Sequence, residues 1–190
     1  MFKQTIRNNH VLVIFVCLWF SGASLLLPDK VFAGEEEAYA VKAAFILNFA
    51  KLTHWPAAAL DDSPEALDLC LVGDDDFLRT ALQTIDGKQV GERILRVHSI
   101  ATAADSRGCE ILFVGNAIDS AGRFRFLTAA KGRPVLVIGE TPGFAGIGGI
   151  INFITQEGKL HFEVNPREAE RKGLKISSRV LQLATIVGSD

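Results

Sequence analysis

The spacing of apolar residues changes several times along the chain, and each change marks an element. Val41, Phe45, Phe49 and Leu52 recur at intervals of three and four, the period of one helix face. Glu35, Glu36 and Glu37 stand where a helix dipole favours negative charge, and Pro56 closes the segment, so the pattern predicts a helix over 35–52. Residues 57–65, with Asp61-Asp62-Ser63-Pro64, read as a loop. Four apolar runs follow, at 67–72, 94–97, 111–114 and 135–138. They are rich in Val, Ile and Leu and too short for helices, which is the signature of strands buried on both faces. Helical segments over 76–85 and 117–130 lie between them. Alternation of this kind predicts an α/β fold with a largely parallel central sheet and helices on both faces, in a single domain.

The last third follows a different rhythm. Runs at 149–155 and 159–165 flank Gln156-Glu157-Gly158, a hairpin turn with glycine where positive φ is needed. In the second run Leu160, Phe162 and Val164 alternate with His161, Glu163 and Asn165, so one face of this C-terminal β-hairpin is expected to be wet. Pro166 can open a helix through Arg171 and Gly173 can stop it. Residues 176–187 then predict a final amphipathic helix capped by Ser177 or Ser178.

The first 33 residues set the compartment. Lys3 and Arg7 precede an apolar run over 11–27, and Val31-Phe32-Ala33 offers a small-residue cleavage point before Gly34. A run of about 17 residues interrupted by Ser and Gly is at the short limit for a spanning helix, so an export signal of 1–33 cleaved after Ala33 is the expectation, with 34–190 as the mature domain. Cleavage removes Lys3, Arg7 and Lys30 but only one acid, Asp29, from a chain already at formal net charge -2. No basic surplus remains to neutralise phosphates, which argues against nucleic acid as a partner. Cleavage also removes Cys17. Cys70 and Cys109 remain, and an even pair outside the cytoplasm reads as a disulfide, with two buried free thiols as the alternative.

Candidate chemistry is sparse. Three predicted strands end alike, at Gly73-Asp74, Gly115-Asn116 and Gly139-Glu140. In a parallel sheet such ends share one edge, so Asp74, Asn116 and Glu140 could line a small-molecule cleft, or merely cap the elements that follow. The stretch Gly143-Phe144-Ala145-Gly146-Ile147-Gly148-Gly149 lacks the Lys-Ser/Thr ending of a phosphate loop and leads into a strand. Close backbone packing explains its glycines better, with Thr141-Pro142-Gly143 as a turn. His54, His98 and His161 are scattered, with no partner at metal-ligand spacing, and no Gly-x-Ser-x-Gly elbow is present. The residues therefore name no metal, cofactor or catalytic group, and the chain does not read as an enzyme.

The string Tyr39-Ala-Val-Lys42-Ala-Ala-Phe45-Ile-Leu-Asn48-Phe49-Ala-Lys51-Leu-Thr-His-Trp55-Pro56 resembles the opening helix of the YfiR-like family of periplasmic proteins. Gly132 to Phe144, Gly148 to Phe153, Phe162 to Asn165 and Gly173 to Leu181 are similar to its later signatures. Cys70 and Cys109 fall where that family has a disulfide; a second late cysteine pair, present in some relatives, is missing here. The resemblance implies a periplasmic protein that tends to homodimerise and acts by binding other proteins. Its implied partners are the periplasmic domain of an inner-membrane diguanylate cyclase, which it represses, and an outer-membrane peptidoglycan-binding lipoprotein, which relieves that repression. Repression of the cyclase would lower cyclic-di-GMP signalling and biofilm formation. Phe144, His161, Glu163 and Asn165 are the expected partner-binding residues. The alternative is a periplasmic small-molecule sensor or solute-binding module built on Asp74, Asn116 and Glu140.

Overall fold

The computed structural model describes residues 30–61, 64–73 and 76–188. Helix α1 (Lys30–Lys51) leads through a two-residue strand β1 (Thr53–His54) to β2 (Ala66–Val72), α2 (Asp76–Gln83), β3 (Gln89–Val90) and β4 (Arg93–Ser99). Then come β5 (Ile111–Val114), α3 (Ser120–Ala129), β6 (Leu136–Gly139), β7 (Ile151–Gln156) and β8 (Lys159–Val164). The chain closes with α4 (Pro166–Arg171), β9 (Lys175–Ile176), α5 (Ser178–Leu181) and β10 (Thr185–Ile186).

Eight strands form one sheet in the order β10-β8-β7-β6-β5-β2-β4-β3. Its centre, from β4 to β7, is parallel, as the continuous apolar runs predict. The β3–β4 and β7–β8 pairs are antiparallel. The chain passes from β2 to β4 on one side and then crosses to β5 on the other, so the point where direction reverses lies between β2 and β5. The small sheet β1–β9 ties the end of α1 to the C-terminal segment.

Alternation along β2 divides the core. Leu67, Leu69 and Leu71 join one buried cluster with Ile46 and Phe49 of α1 and Leu78 and Leu82 of α2. Cys70 and Val72 point the other way, into a second cluster with Phe126 and Leu127 of α3 and with Phe144. On α1 the buried line is Ala43, Ile46, Phe49 and Ala50, while Val41 is 40% exposed, so the core-facing stripe is rotated from the one its spacing predicts. Phe45 and Phe49 pack against Phe153 of β7 and Phe162 of β8, with ring centroids 5.0 to 6.3 Å apart across the two elements.

The hairpin closes as expected but through two residues. Gln156 pairs with Lys159, and Glu157 (φ 51°) and Gly158 (φ 74°) both take the left-handed conformation that suits the twist of the strands. The expected final helix over 176–187 is corrected: only Ser178–Leu181 is helical, with Ser177 as its cap. Thr185 and Ile186 instead pair in parallel with Glu163 and Val164. Two β-branched residues beside an open sheet edge gain backbone hydrogen bonds there, and this outweighs the helical periodicity.

Replacing Phe49 by Ala is expected to lower unfolding free energy by about 3–5 kcal/mol, read from urea midpoints. A loss under about 1 kcal/mol would contradict its place at the centre of this cluster.

Candidate functional site

The strand ends expected to form a cleft are occupied by the protein itself. Gly73 (φ 64°) lies under Ile118, whose side chain fills the space a Cβ would need. Glu140 forms an ion pair with Lys42 of α1 at 2.6 Å, and its other oxygen accepts the Asn116 amide at 3.1 Å. Lys42 also lies 4.6 Å from the centre of the Tyr39 ring. Glu140 thus joins α1 to the loop after β5, and Asn116 takes part through its backbone. Asp74 lies outside the described residues.

The partner-binding residues separate into two kinds. Phe144 is 0% exposed, and its ring packs so close to Gly139 and Gly149 that a Cβ at either position would collide with it. The turn that aims it is Thr141-Pro142-Gly143-Phe144, with Gly143 at φ 75° and the Phe144 amide donating to the Thr141 carbonyl. Asn165 is also buried: its Oδ1 caps α4 by accepting the Glu168 amide, and its Nδ2 donates to the Ala145 carbonyl. Both are therefore corrected from surface to structural roles. His161 is exposed on the outer face of β8. Glu163 is half-buried on that same face and accepts a hydrogen bond from Asn152 Nδ2 at 2.9 Å. Only these two of the four stand where another molecule could reach them.

Cys70 and Cys109 are joined in a disulfide across 39 residues, with Cα atoms 5.9 Å apart. It fastens β2 to the segment entering β5. Charged groups surround it. Asp68 meets His98 Nε2 at 2.7 Å, and the Asp68 amide donates to Glu110 Oε2 at 2.7 Å. Burial, helped by the neighbouring Asp68 charge, raises the Glu110 carboxyl above its ordinary range, against the opposing pull of that amide. Arg133 reaches across to the Ser106 and Arg107 carbonyls. The His98–Asp68 pair opens on a groove of 470 Å³, and the only sulfurs lining it belong to the disulfide. An imidazole and a carboxylate are present there without a nucleophile. Among the described residues no cluster of three or more His, Cys, Asp or Glu is placed to hold a metal ion.

A pair of exposed apolar side chains, not among the candidate residues read from the sequence, lies beside α3. Phe124 on α3 is 71% exposed and Ile147 63% exposed, and both line a groove of 560 Å³. The signal was present in the sequence: Phe124 and Phe126 are two apart on a helix and cannot share a face. Phe126 is in the core, so Phe124 must be outside.

The family model described as YfiR/HmsC-like matches residues 39–185, from Tyr39 to Thr185. The chain belongs to this family. The matched span takes in the sheet, the disulfide and the exposed groove of the YfiR/HmsC-like domain. None of the curated proteins compared matches it. Among solved structures, the domain is similar to the ABC domain in complex with L-Trp from Streptococcus pneumonia, at 9% identity and a TM-score of 0.51, covering 74% of this chain and 61% of that one. The chain thus spans about three-fifths of that protein's length, and the likeness is one of fold. A conserved domain protein from Vibrio cholerae is matched at 13% identity and a TM-score of 0.43, over 68% of this chain and 57% of that one.

Converting both Cys70 and Cys109 to Ser is expected to cost up to about 4 kcal/mol, since the bridge closes a long loop in the unfolded chain. Urea denaturation with and without reductant checks this, and an unchanged midpoint would contradict it. Glu110 gives a pH prediction. Its raised folded-state pKa favours the fold while the carboxyl is protonated, and that contribution is lost as pH rises through the raised value. Glu110→Gln should therefore gain stability relative to wild type between acid and neutral pH. Parallel denaturation curves at the two pH values would contradict this if the difference stays constant.

Proposed function

We propose that this protein is an exported periplasmic regulator that represses an inner-membrane diguanylate cyclase by direct contact with its periplasmic domain, lowering cyclic-di-GMP and biofilm formation. The observation that carries the reading is the YfiR/HmsC-like match across residues 39–185; this is a family of periplasmic regulators. The disulfide supports an oxidising compartment. Among the described residues no helix is long and apolar enough to cross a membrane. Cleavage after Ala33 would trim the first turn of α1, which starts at Lys30, and leave the rest of the helix in place. Release by an outer-membrane peptidoglycan-binding lipoprotein, and a homodimeric state, complete the reading.

Recognition by exposed side chains is the reading that the described residues support best. Glu140 is paired with Lys42, and the described residues lining the groove at His98 and Asp68 include no serine, threonine or free cysteine. The same occupation of the strand ends removes support for a solute cleft at Asn116 and Glu140. A protein that acts by contact needs accessible side chains of mixed character, and His161, Phe124 and Ile147 supply them.

Deleting the gene is expected to raise intracellular cyclic-di-GMP several-fold and to increase surface attachment, with both reversed by a plasmid copy. An unchanged cyclic-di-GMP level in the deletion strain would overturn the proposal.

A further inference from the structure

Phe124 and Ile147 are the two large apolar side chains most exposed around a single depression. The groove between them is bounded by Leu127 and Thr128 of α3, by the Gly146-Ile147-Gly148 knuckle, and by α4. Its charges are unequal. Lys131 and Arg171 stand on the rim, and the one carboxylate lining it, Glu168, is engaged by Arg171 at 2.5 Å and by Lys172 at 3.6 Å. Lys172 is itself buried and donates to the Ala130 carbonyl at 2.6 Å, which fixes α4 against the end of α3 and holds the groove's shape. The result is an apolar slot with a cationic rim on a chain whose formal net charge is -2.

We propose that this groove seats an apolar side chain carried on an acidic segment of a protein partner, with Phe124 and Ile147 gripping the anchor and Lys131 meeting the acid. Aromatic and arginine residues at the centre of a contact contribute most to affinity, and charges at its rim steer association. The acidic character follows from the rim, since Arg171 is paired with Glu168 and Lys131 remains as the one surplus cation among the lining residues. A concave slot with a glycine-flanked knuckle on one wall suits a peptide better than a flat lipid surface. The inference deepens the regulator reading and rests on it: the partner is the cyclase that the protein represses.

The test measures binding of the purified mature protein to the purified periplasmic domain of the cyclase whose repression it restores, at low and moderate salt. Phe124→Ser should weaken binding on the order of tenfold or more while leaving the melting temperature unchanged, because the ring is exposed. Lys131→Glu should weaken it too, Lys131→Arg should not, and the wild-type affinity should fall with salt. Wild-type binding with both Phe124→Ser and Lys131→Glu unaffected would overturn the groove and leave the regulator reading standing. Failure of wild type to bind or repress would overturn both. If Phe124→Ser instead dissociates a homodimer, or abolishes sedimentation with phosphatidylglycerol vesicles, without weakening cyclase binding, the occupant is a second copy or a lipid surface and the proposal falls.

Discussion

The contact between α1 and the C-terminal hairpin, made by Phe45 and Phe49 on one side and Phe153 and Phe162 on the other, governs much of what the molecule can do. These residues are about a hundred positions apart, so the contact closes the chain into one unit around the sheet. It fixes where α1 lies, and that position carries Lys42 to Glu140. With that ion pair made and Ile118 seated over Gly73, the edge where open α/β sheets usually bind ligands is filled. The exposed apolar side chains Phe124 and Ile147 lie on the outer surface instead.

The opposite face of the sheet is covered more economically. One helix, α3, and one buried ring, Phe144, enclose the second cluster, and the disulfide secures its far side. Gly139 and Gly149 are explained by that ring, since neither position can accept a Cβ while Phe144 lies on it. A single short helix leaves sheet and helix surface bare at its margins. The groove beside Phe124 and the outer face of β8 around His161 are two such margins.

Much of this was legible in the sequence, for identifiable reasons. Buried parallel strands announce themselves as unbroken apolar runs, and 111–114 matches β5 residue for residue. Proline and glycine mark α4 and the hairpin because they act through local geometry. Placement against distant partners was harder to read. Thr185 and Ile186 sit in a helical pattern yet join a strand that the local sequence does not reveal. Phe144 and Asn165 look like surface residues from their neighbours, and both are buried by contacts across the fold. The exposed Phe124 was readable from its spacing to Phe126, once the question became which ring the core would leave out.

The family is one of periplasmic regulators. This YfiR/HmsC-like domain has occupied strand ends, a disulfide and an exposed apolar slot, and the proposed repression by contact would use that slot. The most direct test adds the purified mature protein to membranes containing the cyclase and follows conversion of GTP to cyclic-di-GMP. The account predicts a saturable fall in the rate as the protein is titrated in. A rate that stays constant at all protein concentrations, with the cyclase active and its periplasmic domain accessible, would contradict it.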